Sequence, residues 1–342
     1  MAAAGGYAAW MVALVSLVAG LLILWITVPL AMRFPGQTPV GYFQFLLGPV
    51  LGKVAAAGLL LYLALGIPLD LRVATDNTIA IFFVHTPAWA VLLLLVYAGS
   101  YLAVLGPAKM ARLAPFFLVV VSLVVATLVL LGSPYFHPGY LSPLEGPGGV
   151  NWGSPYLWAA ASLHHCLLLY LFLLPSLRQQ GRALRTGLLA VLFGSIPVTA
   201  SLIVPLMTFG VPMMQHLAQP SILYFSILTW HQLPVSQLSY VLFMLWQFNM
   251  LFTFGLGMYA LALGTGQLLG LADYRVLVPL FAILGLVSAH FLRSVSVLFL
   301  LYRWWAPGIF VFAGLLFPLL WFLYLRQRRR LALQKALLGV GP

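Results

Sequence analysis

LAPFFLVVVSLVVATLVLLG, residues 113–132, runs for twenty positions without a charge, and its polar side chains are Ser122 and Thr127. A membrane-spanning helix needs about 20 such residues, because backbone groups in hydrocarbon must satisfy one another. A strand of a membrane barrel would alternate apolar and polar residues, and this run does not. The rest of the chain has the same character. Of its 342 residues, 63% are hydrophobic and 6% are charged, and the mean hydropathy is +1.09. A soluble domain carries about 25% charged residues. The four acids, Asp70, Asp76, Glu145 and Asp273, cannot cover such a surface in water. Lipid must cover most of it.

Nine apolar segments read as membrane helices in one polytopic domain, at roughly 8–32, 53–84, 87–105, 113–132, 155–175, 184–210, 237–268, 275–291 and 307–325. The second and seventh exceed the length needed to span and must tilt or break. A less apolar stretch at 216–236, punctuated by Pro220 and Pro234, reads as an interfacial helix. The loop at 132–154 holds four prolines and six glycines and is expected to be irregular. A single cysteine, Cys166, excludes an internal disulfide. The N-terminal MAAAGGYAAW lacks the basic region of a signal peptide, so the first segment is expected to remain as a helix.

The basic residues orient this layout. Arg33, Lys53, Lys109, Arg112, Arg178, Arg182, Arg185, Arg275, Arg326, Arg328, Arg329, Arg330 and Lys335 fall on one side, and Arg293 and Arg303 on the other. Positive charge marks the cytoplasmic face, which places the N-terminus outside and the C-terminus inside. The cations then meet anionic headgroups, so the bilayer is the expected partner and nucleic acid is not. A chain that lacked one preceding helix would begin in this way.

Charges within membrane helices usually face the bundle interior, where solutes and ions pass. The second helix carries Asp70, Arg72 and Asp76; Arg72 and Asp76 are one turn apart and suited to an ion pair. Two readings stand side by side: a structural pair that fixes packing, and a solute site or gate. The fifth helix carries Ser162, His164 and His165. Ser162 and His165 share a face and are suited to lining a polar cavity. The adjacent histidines point about 100° apart, with no carboxylate or further His one turn away, so no metal is expected. Haem ligation has no supporting motif. The seventh helix carries Gln247, Asn249 and Thr253, of which Asn249 and Thr253 form a stripe for a neighbouring helix or a solute. Its Gly255 and Gly257 point to close packing. There is no Walker sequence, no Ser–His–Asp spacing, no cysteine cluster and no HExxH, so neither an enzyme nor a cofactor is expected.

The order of these motifs resembles the spore germination permeases, the B subunits of GerA-type nutrient receptors of endospore formers, in the amino acid–polyamine–organocation superfamily. The similarity lies in Asp70-x-Arg72-x-x-x-Asp76 followed by Ile81-Phe82-Phe83 and Thr86-Pro87, and in Arg112-Leu113-Ala114-Pro115-Phe116. It continues in Leu141-Ser142-Pro143 running to Gly146-Pro147, and in Pro175 before a basic loop. The resemblance implies ten helices in two inverted five-helix repeats, with a solute site at the midplane. Aligned in this way, the nine helices match the second to tenth of the family, and the first is missing. The site then falls on helices two, five and seven. An acid common in family members midway through their sixth helix is replaced by Leu169, and an Arg-x-acid by Gln237 and Ser239. The resemblance further implies a spore inner-membrane subunit that senses a small nutrient such as an amino acid, with A-type and lipoprotein C-type partners. A secondary amino-acid transporter coupled to H⁺ or Na⁺ is the alternative.

Overall fold

A computed structural model describes residues 9–83, 85–141, 166–177, 179–214, 216, 217, 220, 223, 224, 238–292 and 294–337. The described residues form helices and turns with no strand among them. Eleven helices order the chain: α1 Ala9–Ala31, α2 Pro39–Leu47, α3 Pro49–Ile81, α4 Ala88–Leu105, α5 Pro107–Gly132, α6 Leu167–Leu173, α7 Ala183–Met214, α8 Leu238–Leu269, α9 Val278–Phe291, α10 Val295–Trp305 and, after the short turn Gly308–Val311 and a π-helical turn Phe312–Leu316, α11 Phe317–Leu337. Eight spans among the described residues are long and apolar enough to cross a membrane. The fold is that of an all-α membrane protein.

Proline and glycine set the corners. Gly48 and Gly106 take φ of 86° and 82°, a backbone that side chains disfavour, and each is followed by a proline at the first turn of the next helix. One residue therefore turns α2 into α3, and another turns α4 into α5. Proline costs a new helix nothing there, because the first-turn N–H has no intrahelical acceptor. Gly210, at φ 69°, ends the regular part of α7, where the sequence pattern also ended it.

The core lies where α3, α4 and α8 cross. Gly99 on α4 faces the Phe254 ring of α8, and a Cβ there would sit 1.9 Å from a ring carbon. Small residues at such crossings let membrane helices approach closely, and Gly255 of α8, where a Cβ would lie 2.8 Å from Leu102 Cβ, shows the close packing expected of the seventh segment. By contrast α5 turns Phe116, Val119, Leu123 and Leu130 outward, each more than half exposed. Water would reject such a face, whereas acyl chains cover it. Polar contacts join remote segments: Trp321 Nε1 donates to the carbonyl of Ile26 at 2.8 Å, and the Tyr274 hydroxyl to that of Ala103 at 3.2 Å.

Two differences from the sequence pattern bear on the site. The expected loop after the first helix contains α2, whose cap residue Thr38 donates its hydroxyl to Gln267 at the end of α8. Within the expected outer loop at 292–306, Val295–Trp305 is helical. Ser294 caps α10 by accepting from Val297 N–H at 3.5 Å, and Ser296–Arg328 forms one apolar span of 33 residues, interrupted at Ala306-Pro307. The fifth span falls mostly outside the described residues; its end, Leu167–Ser176, is an apolar helix. The interfacial stretch at 216–236 lies largely outside them too.

Candidate functional site

Asp70 lies about two-thirds of the way along α3, deep inside a span of 33 residues. Residues two apart on a helix point about 200° from each other, so Asp70 and Arg72 diverge. Asp70, Arg72 and Asp76 therefore separate into two sites.

Arg72 and Asp76 form the predicted ion pair, with Nη2 to Oδ1 at 2.9 Å and Nε to Oδ2 at 3.0 Å. Its two parallel bonds match the planar fork of the guanidinium. Their side chains are 12% and 28% exposed, which places the pair partly within the bundle. Two residues further along the helix, Gln247 of α8 donates through Nε2 to the Ala74 carbonyl at 3.3 Å and to Thr78 Oγ1 at 2.5 Å. Thr78 gives its own proton to Ala74 at 2.6 Å, so its oxygen is left as an acceptor. The partner that Gln247 required across helices is thus α3.

Asp70 faces elsewhere. The hydroxyl of Tyr302, on α10, donates to its carboxylate. Beside this pair, Leu63, Gly66, Ile67 and Asp70 of α3, Leu169 of α6, Thr253, Phe254 and Gly257 of α8 and Trp305 of α10 line a cavity of about 20 Å³, room for one water-sized group. Gly66 is required here, because a Cβ would lie 2.2 Å from the Trp305 ring. Trp305 stacks on Tyr62 with centroids 5.1 Å apart, meets Tyr302 edge-on at 5.7 Å, and donates its indole N–H to the Tyr62 carbonyl at 2.7 Å. The cavity joins the second, fifth and seventh predicted helices to a helix that the sequence pattern had placed in a loop. Leu169, the position where an acid was expected by resemblance, forms one wall.

The other candidates divide. Thr253 lines the cavity, and its hydroxyl donates to the Asn249 carbonyl at 3.1 Å. The Asn249 side chain is exposed and does not join Thr253 there. Ser162 and His165 lie outside the described residues, as does His164. Tyr62, Tyr302 and Trp305 were missed by sequence. Their signal was the aromatic cluster Tyr302, Trp304 and Trp305 on an apolar run that begins with a capping serine.

Fold and site together define a polytopic membrane protein with a carboxylate-bearing cavity between an unbroken long helix and an interrupted one. Residues 1–293 match the family model of the spore germination proteins, and the chain belongs to that family. The resemblance carried by the helix-two and helix-four motifs is confirmed at this level, and the chain is an integral membrane protein of spore germination. Tyr302 and Trp305 lie beyond the matched residues. No curated protein matches the chain.

Proposed function

We infer that the chain is the nutrient-sensing membrane subunit of a germinant receptor, which binds a small solute at the Asp70 cavity and passes a conformational signal to its partners. The observation that carries this reading is the cavity itself, where an intramembrane carboxylate meets an interrupted helix. Ionisable groups at membrane depth mark solute and ion sites, and discontinuous helices commonly form such sites. Membership of the germination family supports the further reading of an amino acid-like nutrient, A-type and lipoprotein C-type partner subunits, and residence in the spore inner membrane. The excess of basic residues on one set of connections supports a cytoplasmic C-terminus.

The test is a germination assay in spores whose other nutrient receptors are deleted, with an amino-acid mixture as the trigger. Spores carrying Asp70→Asn, with the protein present at its normal level in the membrane, lose the fall in optical density that wild-type spores show. A wild-type response in these spores overturns the reading.

A further inference from the structure

The cavity beside Asp70 holds about 20 Å³, room for one water-sized group. Even the smallest amino acid is larger, so a wall must move to admit one. Two of the walls, α3 and α8, run on past the cavity. The wall made by α10 stops there: the helix ends at Trp305, on the cavity itself, and Pro307 follows. Proline has no N–H to give to the Arg303 carbonyl. The next bonds are short-range, from Ile309 N–H to the Ala306 carbonyl at 3.4 Å and from Phe310 N–H to that of Pro307 at 2.9 Å. Helix ends of this kind absorb the backbone rotation of hinge motions.

The contacts of α10 divide at the same point. Leu298, Tyr302 and Trp305 share one face, while Leu300 and Trp304, each more than half exposed, lie on the opposite one. The first face meets a stripe of α3 formed by Tyr62, Gly66 and Asp70, one turn apart. Gly66 lacks the side chain that would crowd the carbonyl four residues before it, and the Trp305 indole reaches that carbonyl, of Tyr62, at 2.7 Å. Tyr62 also holds the break from beyond. Its ring meets Phe312 at 5.3 Å, its hydroxyl donates to the Ala306 carbonyl at 3.4 Å, and a Cβ on Gly308 would lie 2.7 Å from it. Farther from the break, the Tyr302 hydroxyl donates to Asp70.

We propose that α10 is a lid on the Asp70 cavity, hinged at Ala306–Pro307 against Tyr62 and latched by the bond from Tyr302 to Asp70. The inference rests on the reading that this cavity is the solute site, and it adds how a solute enters. Kinks at proline exceed about 20°. At 1.5 Å per residue, a tilt of about 30° carries Val297 about 7 Å and Tyr302 about 3 Å, enough to part its hydroxyl from the carboxylate. Trp305, beside the hinge, stays on Tyr62. A solute that takes the place of Tyr302 at Asp70 favours the open lid, because a ligand shifts an equilibrium by its differential affinity for the two states.

The test measures distances between paired nitroxides by pulsed electron resonance, on the full chain in lipid nanodiscs with Cys166→Ala. Leu94→Cys on α4 is paired with Val297→Cys on α10 or with Phe322→Cys on α11, all three positions being exposed. An amino-acid mixture adds a population shifted by about 5 Å or more to the 94–297 pair and leaves the 94–322 pair unchanged. Tyr302→Phe adds the same population without the mixture. Pro307→Ala supplies the missing N–H, makes the span continuous and abolishes the shift, so the lid remains testable if Tyr302→Phe does not fold. Equal movement of both pairs, or a shift that persists in Pro307→Ala, overturns the hinge. An unmoved 94–297 pair in Tyr302→Phe overturns the latch. No shift with the mixture, when Asp70→Asn spores fail to germinate, overturns the lid and leaves the sensing role standing. That role falls separately, on normal germination of Asp70→Asn spores.

Discussion

The hydroxyl of Tyr302 donates to the carboxylate of Asp70 across 232 residues of sequence, joining the interrupted span to the long helix α3. This contact, with Trp305 stacked on Tyr62 below it, defines one wall of the cavity. Removing the donor leaves a membrane carboxylate short of a hydrogen bond, at a cost of about 1–3 kcal/mol. Tyr302→Phe should therefore lower the stability measured by denaturant titration in micelles. A variant as stable as wild type would show that the contact contributes nothing.

The Arg72–Asp76 pair predicts a different pattern. Either Arg72→Met or Asp76→Leu alone strands a partly buried charge and costs more than replacing both, since burying a charge needs a partner. With side chains 12% and 28% exposed, the single substitutions are expected to cost about 1–3 kcal/mol each, less than a fully buried pair. The double variant should recover much of that loss. Additive losses in the double-mutant cycle would mean that the two charges are not coupled.

Gly66 has no space for a side chain, because a Cβ would stand 2.2 Å from the Trp305 ring. Gly66→Ala must displace the indole, an overpacking that costs about 1–3 kcal/mol. Adding Trp305→Leu to Gly66→Ala should restore part of the stability. Equal damage in single and double variants would place the strain elsewhere.

Gln247 bridges α8 and α3 through one amide. Side-chain hydrogen bonds between membrane helices average about 0.6 kcal/mol, so Gln247→Leu should cost little. A loss of several kcal/mol in thermal or chemical unfolding would reveal a larger network around this residue.

How much of this was legible in sequence follows from physical causes. The run at 113–132 declared its state because twenty uncharged residues have few other solutions, and α5 indeed covers it. The Arg72–Asp76 pair was readable because helical spacing fixes it. Asp70 looked like a third member of that cluster, and only its direction on the helix sends it to another site. The segment at 292–306 reads in sequence as an outer connection that holds Arg293 and Arg303. The capping bond of Ser294 and packing on α3 make it a helix instead. The cavity's aromatic wall was hidden with it, since contacts across more than 230 residues leave no local periodicity. Ser162 and His165, chosen for a shared face, lie outside the described residues.

The most direct test of solute sensing at the Asp70 cavity is a germination dose–response in spores carrying Thr253→Val, with an amino-acid mixture as trigger and the other receptors deleted. Removal of one cavity acceptor should move the half-maximal concentration about threefold to tenfold higher and leave the maximal germination rate unchanged. An unchanged half-maximal concentration, or a lower maximal rate without that shift, would contradict a solute site in this cavity.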